Sequence, residues 1–193
     1  MEEKASSSVE QELLLLDKSA GSLRKSLESS TVSACLKSEF RGRIEALQSK
    51  GIAAKKRASA QKVDVTLNLI QKEIQDEKEE KAFVMMVDIG ADSKASQKVM
   101  KLCKKQNIAF MGLSEEDPGS GGKLLAFSYV PDELTSQIRA DEWIRATLEV
   151  AGGRGGGKPG NAQGQAKDCA DVKAVEKAAR DYLAAKLAVL GNN

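Results

Sequence analysis

The first third of the chain carries apolar residues at helical spacing. The first set, separated by steps of four and three residues, consists of Val9, Leu13, Leu16, Ala20, Leu23 and Leu27. After a turn at Ser29, Ser30 and Thr31, the spacing returns in a second set that consists of Phe40, Ile44, Leu47, Val63, Leu67, Ile70 and Ile74. The spacing of the first set keeps its side chains on one helical face. We therefore expect an antiparallel, coiled-coil-like helical hairpin over residues 1–81, in which the two apolar seams bury each other and Gly51 bends or interrupts the second helix.

The pattern changes at Ala82, where the run AFVMMVDIG is short and mostly apolar, as in a buried strand. A helical segment, SKASQKVMKLCKKQN, follows, and then two further apolar runs, at 108–113 and in LLAFSYV. Residues 131–150 and 171–190 have helical patterns, and Trp143 faces inward in the first of them. The sequence thus predicts an α+β or α/β fold, with the helical hairpin followed by a small globular α/β domain over residues 82–193.

Composition removes several classes of site. The chain has no histidine, which excludes Ser-His-Asp and Cys-His nucleophiles and every histidine-ligated metal site. Its three cysteines are odd in number and far apart in sequence, so neither a disulfide framework nor a paired zinc knuckle is expected. Thirty basic residues stand against 28 acidic ones, and the net charge of +2 gives no global signal for nucleic-acid binding. Any such site must therefore be local.

The chain also lacks the sequence features of a membrane or secreted protein. No apolar run approaches the roughly 20 residues that a membrane span requires, and the start MEEKASSSVEQ is acidic and polar, unlike a targeting signal. We therefore expect no membrane partner and a cytoplasmic location. If the chain is a piece of a longer protein, its native start is absent, which leaves an organelle as the alternative.

The most distinctive segment is GGRGGGKPGNAQGQAK, residues 152–167. Glycines let a backbone approach another surface closely and leave amide groups free to face an anion. Gly152, Gly157 and Lys158 have the spacing of a phosphate-binding loop. However, Pro159 occupies the position of the Mg²⁺-binding Ser or Thr and a helix precedes the segment, which argues against ATP or GTP. Two interpretations stay open: a flexible linker between helices, and a binding loop whose cationic and amide side chains suit phosphate, ribose or base edges.

The string GGRGGGKPGNAQG, after a helix that contains Trp143, resembles the signature of the C-terminal domain of alanyl-tRNA synthetases, which belongs to the DHH-associated domain family. The similarity extends from about Val84 to Leu190. The helical hairpin is similar to the segment that joins the editing domain to the C-terminal domain in these synthetases. In DHH phosphoesterases the glycine motif continues into a phosphate-binding histidine, whereas Lys158 occupies the corresponding place here. This difference favours the synthetase branch and argues against hydrolysis.

The resemblance implies a module that docks on the outer corner of tRNA(Ala), where the D and T loops meet, and tethers the tRNA for aminoacylation and editing. Its other partners would be the catalytic and editing domains of the same synthetase, and ATP and zinc are expected only in those domains. No catalytic residue and no metal site is expected in this chain. The expected tRNA-binding residues are Arg154, Lys158 and Lys167 for phosphate or base contacts and Asn161, Gln163 and Gln165 as polar readers. The expected loop-shaping residues are Gly152, Gly153, Gly155, Gly156 and Gly157.

Several features leave alternatives open. A second basic cluster, expected to have no acidic neighbours, either extends the tRNA footprint or forms a solvated helix face, and it comprises Lys50, Lys55, Lys56, Arg57 and Lys62. The apolar seam of residues 9–27 suits a dimerisation scaffold, with a homodimer forming through the helical region. A substrate-binding domain of a DHH-type phosphoesterase is the third functional alternative. Met85, Met86, Trp143 and Cys103 are expected in the core.

Overall fold

The computed structural model describes residues 2–76, 81–116 and 122–188. Within these ranges, the side chains of residues 2–11, 13 and 14 lie outside the description, and the predicted seam positions Val9 and Leu13 are among them. The chain divides into two compact units, the first ending at Gln61 and the second beginning at Lys62. The first strand begins at Ala82, next to the predicted domain boundary between residues 81 and 82, and that boundary stays a prediction.

The N-terminal unit contains two antiparallel helices. Helix α1 spans Glu2–Ser29, and helix α2, which spans Ala34–Asp76, continues into the second unit. Helix α2 runs through Gly51 without interruption, so the expectation of an interruption is wrong, whereas a bend at this glycine stays a prediction. A methyl group at Gly51 would lie 3.0 Å from Leu16 Cδ2. The glycine therefore lets the two helices approach each other closely.

The two apolar seams are only partly buried in this unit. Ala20 and Ile44 are buried, whereas Leu23 is 54% exposed and Phe40 is 39% exposed. An ion pair between Arg41 and Glu28, 2.8 Å apart, connects the helices near the turn. The expectation that each seam buries the other is thus wrong for a large part of its length, because two helices alone offer each other only one narrow contact stripe.

The second unit is built on a five-stranded sheet. Its elements in chain order are β1 Ala82–Met86, α3 Ser93–Gln106, β2 Ala109–Glu115, β3 Leu124–Tyr129, a short 3-10 helix Asp132–Leu134, α4 Ala140–Glu149, β4 Arg154–Lys158, β5 Asn161–Ala166 and α5 Val172–Ala188. The strand order is β1-β2-β3-β5-β4, and β1 and β2 are parallel while the other neighbours are antiparallel. The helix predicted over 131–150 begins only at Ala140, because a turn of 3-10 helix follows Pro131.

Both faces of the sheet carry a core because side chains alternate along each strand. One core packs β-strand residues such as Met111 and Ala126 against Trp143 of α4 and Val175 of α5. The other core packs Phe110 and neighbouring residues against α3 and the last part of α2. The domain is therefore a three-layer α/β unit, in agreement with the predicted helical region followed by a small globular α/β domain.

The glycine-rich segment is not a loop. Residues 154–158 and 161–166 form the β-hairpin β4–β5, closed by the two-residue turn Pro159–Gly160. The expectation of a loop or flexible linker is therefore wrong. Strands are normally recognised by β-branched and aromatic residues, and this hairpin has none, so its strand character was invisible to propensity.

Candidate nucleic-acid interface

Helix α4 covers one face of the β4–β5 hairpin, and glycines on that face allow the helix to pack closely against it. A methyl group at Gly155 would collide with Ile144 Cγ2, and one at Gly164 would collide with Leu148 Cδ1. Gly157 has no room either, since its added methyl would meet the backbone of β5. Gly155 and Gly164 therefore bring the hairpin into close contact with α4, whereas Gly157 lets the two strands approach each other. The three glycines do not form an anion-binding loop.

The remaining glycines have other roles. Gly152 follows α4 and has a φ of +61°, a left-handed conformation that favours glycine at a helix end. A methyl group at Gly153 would lie 2.9 Å from the carbonyl oxygen of Gln165, so this position is also crowded by backbone. Gly156 differs from both, because a methyl group there would meet nothing within 4 Å. Its lack of a side chain is not required by packing within the described part of the chain.

The opposite face of the hairpin carries the polar side chains. The cross-strand partners are Arg154 with Gln165, Gly156 with Gln163, and Lys158 with Asn161. Because side chains alternate along strands, these six residues project from the face opposite Gly155, Ala162 and Gly164. We call this surface the open face and define it as Arg154, Gly156, Lys158, Asn161, Gln163 and Gln165.

Five of the six predicted tRNA-binding residues thus meet on the open face. Arg154, Lys158 and Asn161 are exposed, whereas Gln163 and Gln165 are half-buried. Lys167 is exposed but lies beyond the end of β5, outside the paired strands. An open depression of about 310 Å³ is lined by Leu125, Arg154, Gln163, Gly164 and Gln165.

Gln163 connects the open face to α3. Its side-chain amide donates a hydrogen bond to Ser96 Oγ over 2.8 Å, and the Ser96 hydroxyl donates in turn to the carbonyl oxygen of Ser93 over 2.9 Å. The amide nitrogen of Gln163 is therefore already engaged. This residue fixes the hairpin beside α3, and the more accessible polar groups of the open face belong to Arg154, Lys158 and Asn161.

The turn of the hairpin is held by neighbouring elements. The carbonyl oxygen of Pro159 accepts a 2.7 Å hydrogen bond from the backbone N–H of Ala140 at the start of α4, and that of Gly160 accepts one from Val130. Beside the turn, the Arg139 guanidinium forms a 3.2 Å ion pair with Asp141 and lowers the pKa of that carboxyl group. The hairpin is a fixed platform, so the flexible-linker interpretation is wrong.

The second predicted basic cluster does not form one free patch. Lys55, Lys56 and Arg57 are exposed on α2 in the N-terminal unit, whereas Lys62 lies in the other unit. The Lys62 ammonium group is 3.3 Å from the Asp88 carboxylate, and its side chain is only 22% exposed. Lys62 therefore has an acidic neighbour that is distant in sequence, and the expectation that it stands without one is wrong.

The sequence interpretation missed the basic character of α3. This helix contains five lysines and no acidic residue: Lys94, Lys98, Lys101, Lys104 and Lys105. All five are exposed. The signal was present in the segment SKASQKVMKLCKKQ, but the segment was considered only for its buried face.

The residues that were expected in the core mostly lie there. Trp143 is fully buried, and its indole N–H donates a 2.9 Å hydrogen bond to the carbonyl oxygen of Ala179. Cys103 is buried between α3 and the sheet, and burial raises the pKa of its thiol to about 12. Met85 is half-buried, but Met86 is exposed at the edge strand, so the expectation for Met86 is wrong. No cluster of three potential metal ligands occurs among the residues that the structure describes.

Comparison with known proteins identifies related sequences. The model of the DHHA1 domain family matches residues 79–185. The cytoplasmic alanine–tRNA ligase of Caenorhabditis elegans is 38% identical over 99 residues, which is 50% of this chain and 10% of that protein. Alanine–tRNA ligase of Neisseria meningitidis is 29% identical over 107 residues, covering 55% of this chain and 12% of the ligase. The chain therefore spans only about a tenth of the length of these curated relatives.

Two solved structures show a distant likeness. The C-Ala domain of Aquifex aeolicus alanyl-tRNA synthetase matches with a TM-score of 0.43 and 20% identity, covering 53% of this chain and 87% of that domain. RecJ from Thermus thermophilus, in complex with Mn²⁺, matches with a TM-score of 0.45 and 18% identity, covering 74% of this chain and 19% of RecJ. None of the helices in the described part of the chain combines the length and apolar composition that a membrane span requires.

Proposed function

The chain belongs to the DHHA1 domain family, and from this membership we propose that it is the C-terminal tRNA-binding domain of an alanyl-tRNA synthetase. In this proposal it docks on the outer corner of tRNA(Ala), where the D and T loops meet. It thereby tethers the tRNA near the catalytic and editing domains of the synthetase, which raises the effective tRNA concentration at both sites. The names of the related ligases support the assignment, and those from Caenorhabditis elegans and Dictyostelium discoideum support a cytoplasmic location.

The observation that carries the proposal is the open face. It presents two cationic side chains, Arg154 and Lys158, and the amide group of Asn161 on two adjacent strands. Cationic groups contact phosphates, and amide groups can read base edges or ribose hydroxyls. Between the two cations lies Gly156, where no side chain stands above the backbone. A ribose or base can therefore approach the sheet closely between the cationic groups.

The support beneath the open face suits recognition of a folded RNA by its shape. Helix α4 packs against the other side of the hairpin, and the Pro159–Gly160 turn is hydrogen-bonded to Ala140 and Val130. A platform that is already ordered loses little conformational entropy when it binds. The open face therefore presents its donors in a fixed arrangement, as recognition of one tRNA region requires.

Aminoacylation and editing belong, in this proposal, to other parts of the synthetase. ATP would bind the catalytic domain and zinc the editing domain, and this chain would contribute affinity for the shared tRNA. The chain lacks histidine, so a histidine-dependent reaction cannot take place on its own residues. Its contribution would be measured as binding and as the efficiency of the full synthetase.

The test is a salt titration of binding between the full chain and a folded tRNA(Ala) transcript. The double variant Arg154→Ala, Lys158→Ala removes both cations of the open face. Each lost phosphate contact should reduce the slope of log affinity against log salt by about 1, so the slope should fall by about 2. A duplex RNA of equal length should bind less tightly than the folded tRNA.

A matched control removes the same charge elsewhere. Lys173 and Lys177 are exposed on α5, which covers the other face of the sheet. The variant Lys173→Ala, Lys177→Ala should keep the parent slope. Equal weakening by both double variants would mean that only net charge matters, and an unchanged slope in the open-face variant would contradict the proposal.

A second candidate function is dimerisation through the helical region. The N-terminal unit leaves large apolar side chains in water, and Leu15 is 63% exposed while Ile52 is 70% exposed. Clustered exposed apolar residues are typical of an interaction surface. Light scattering over a range of concentrations should show a dimer that the variant Leu23→Lys, Leu47→Lys weakens. A chain that stays monomeric at the highest concentration would rule out this candidate and leave the tRNA-binding proposal untouched.

A further inference from the structure

Helix α3 carries a regular row of exposed charge. Lys94, Lys98, Lys101 and Lys105 follow one another in steps of four, three and four residues, and all are exposed. This spacing places them on one helical face. We call them the lysine stripe. It extends over about 16 Å, since a helix rises about 1.5 Å per residue.

The stripe faces outward because the opposite side of α3 is anchored to the sheet. Val99 and Cys103 are fully buried in the core between α3 and the strands. Ser96, on the flank of the buried side, receives the hydrogen bond from Gln163 of β5. Helix α3 therefore lies on the same side of the sheet as the open face and directly beside it. A ligand that covers the open face extends toward α3.

Few acidic groups interrupt this side of the domain. On α3 itself none occurs, and the Asp92 carboxylate before the helix accepts a 2.7 Å hydrogen bond from the backbone N–H of Lys94. Among the described residues, no acidic side chain forms an ion pair with any of the four stripe lysines. The end of α2, which shares the α3 core, is mixed in charge, and its ionisable residues are Lys62, Asp64, Lys72, Glu73 and Asp76. The positive charge on this side of the domain is therefore concentrated on α3 and the open face.

The chemistry of the exposed surface of α3 distinguishes between possible ligands. Protein interfaces normally contain buried apolar or aromatic anchors. The exposed residues of α3 are only lysine, serine and glutamine. Such a surface provides charge and hydrogen-bond donors without an apolar anchor. It suits a phosphate backbone, which presents anionic groups at short and regular intervals.

We propose that the lysine stripe binds the sugar-phosphate backbone of the same RNA whose corner occupies the open face. This inference rests on the proposed function, and it adds a second contact surface to it. The open face contacts the RNA corner with donors on a flat platform. The stripe contacts the phosphates of an adjoining arm without reading its sequence, and so contributes affinity and orientation.

The test uses the full chain and a folded tRNA(Ala) transcript over a series of salt concentrations. The variant Lys98→Gln, Lys101→Gln removes two charges of the stripe, and glutamine preserves the helix because its helix propensity is close to that of lysine. The slope of log affinity against log salt should fall by about 2 relative to the parent chain. The control Lys173→Gln, Lys177→Gln removes the same charge from α5 and should leave the slope unchanged.

The outcomes separate this inference from the proposed function. If the open-face variant lowers the slope and the stripe variant keeps it, the stripe is not a contact surface although the open face is. If the stripe and α5 variants lower the slope equally, the effect is one of net charge and the stripe has no special role. If the parent chain does not bind folded tRNA, the proposed function fails and this inference fails with it. Thermal unfolding of each variant verifies that α3 remains folded.

Discussion

The two faces of the β4–β5 hairpin are built from the same short segment and have opposite properties. One face carries Gly155, Gly157 and Gly164, where an added methyl group would collide with α4 or with the neighbouring strand. The other face carries Arg154 and Lys158 and is open. The glycines of the covered face provide the close packing, and the side chains of the open face provide the chemistry. A glycine-rich motif can therefore be a packing device on one side and a binding surface on the other.

Gly156 makes this comparison sharper. It belongs to the open face, and no neighbour within 4 Å would meet an added methyl group. The absence of its side chain is thus unexplained by packing and fits the close approach of a ligand. Substitution by alanine should therefore destabilise the fold at Gly155, on the covered face, and leave its stability nearly unchanged at Gly156, on the open face.

The largest expected effect is on the covered face. Gly155→Ala should lower the free energy of unfolding by about 3 kcal/mol, because the new methyl group overlaps Ile144 and the backbone of β5. Gly156→Ala is the matched control and should stay within about 0.5 kcal/mol of the parent chain. Urea unfolding of both variants measures the difference. Equal stabilities would show that the two faces do not differ in packing.

A smaller loss of stability is expected when the contact between α4 and α5 is weakened. Trp143→Phe removes the indole donor and leaves the buried carbonyl oxygen of Ala179 without this hydrogen bond. Loss of this buried hydrogen bond, together with the lost ring volume, should lower the free energy of unfolding by about 2 kcal/mol. Urea unfolding monitored by far-UV circular dichroism checks this value. A change below about 0.5 kcal/mol would show that the contact between α4 and α5 does not depend on this bond.

The next effect concerns the single described side-chain hydrogen bond between the open face and α3. Gln163→Ala removes the bond to Ser96, and it should cost about 1 kcal/mol of stability. Ser96→Ala should cost a similar amount, and the double variant should cost less than the sum, because both single variants remove the same bond. Additive losses would show that the two residues do not stabilise each other.

The smallest effect concerns the reactivity of the cysteine thiols. It tests whether α3 protects the part of the sheet that it covers. Burial raises the pKa of the Cys103 thiol to about 12, so its reactive thiolate is scarce at pH 8. Cys35 is exposed, and Cys169 is buried. A thiol reagent should therefore label one cysteine of the folded chain rapidly and all three after denaturation. Rapid labelling of Cys103 in the folded chain would mean that α3 does not protect this part of the sheet.

Much of the architecture could be predicted from the sequence because apolar spacing marks helices and buried strands directly. The runs beginning at Ala82 and Leu124 became β1 and β3, and the spacing of residues 9–27 marked α1. The β4–β5 strands could not be recognised by apolar content. Their only strand signal was the alternation of polar and small residues, with Asn161, Gln163 and Gln165 on one face and Ala162 and Gly164 on the other.

The candidate site could be predicted only in part, because the sequence names its residues but does not place them. Its residues were named from the motif, and the structure shows that strand pairing brings Arg154, Lys158 and Asn161 onto one surface. The pairing of Lys62 with Asp88 could not be seen, because these residues are 26 positions apart and meet only in the folded chain. The lysines of α3 were visible in the sequence, but only the fold places that helix beside the hairpin.

The central claim is that the open face binds folded tRNA, and Gly156→Val tests it most directly. The Cβ of this side chain would stand on the open face and meet no other atom within 4 Å. The account predicts that Gly156→Val unfolds at a urea concentration no lower than that of the parent chain, because valine favours strands more than glycine does, and that it binds folded tRNA(Ala) at least about tenfold more weakly, a difference of about 1.4 kcal/mol. A stable variant that binds tRNA as tightly as the parent would contradict the claim.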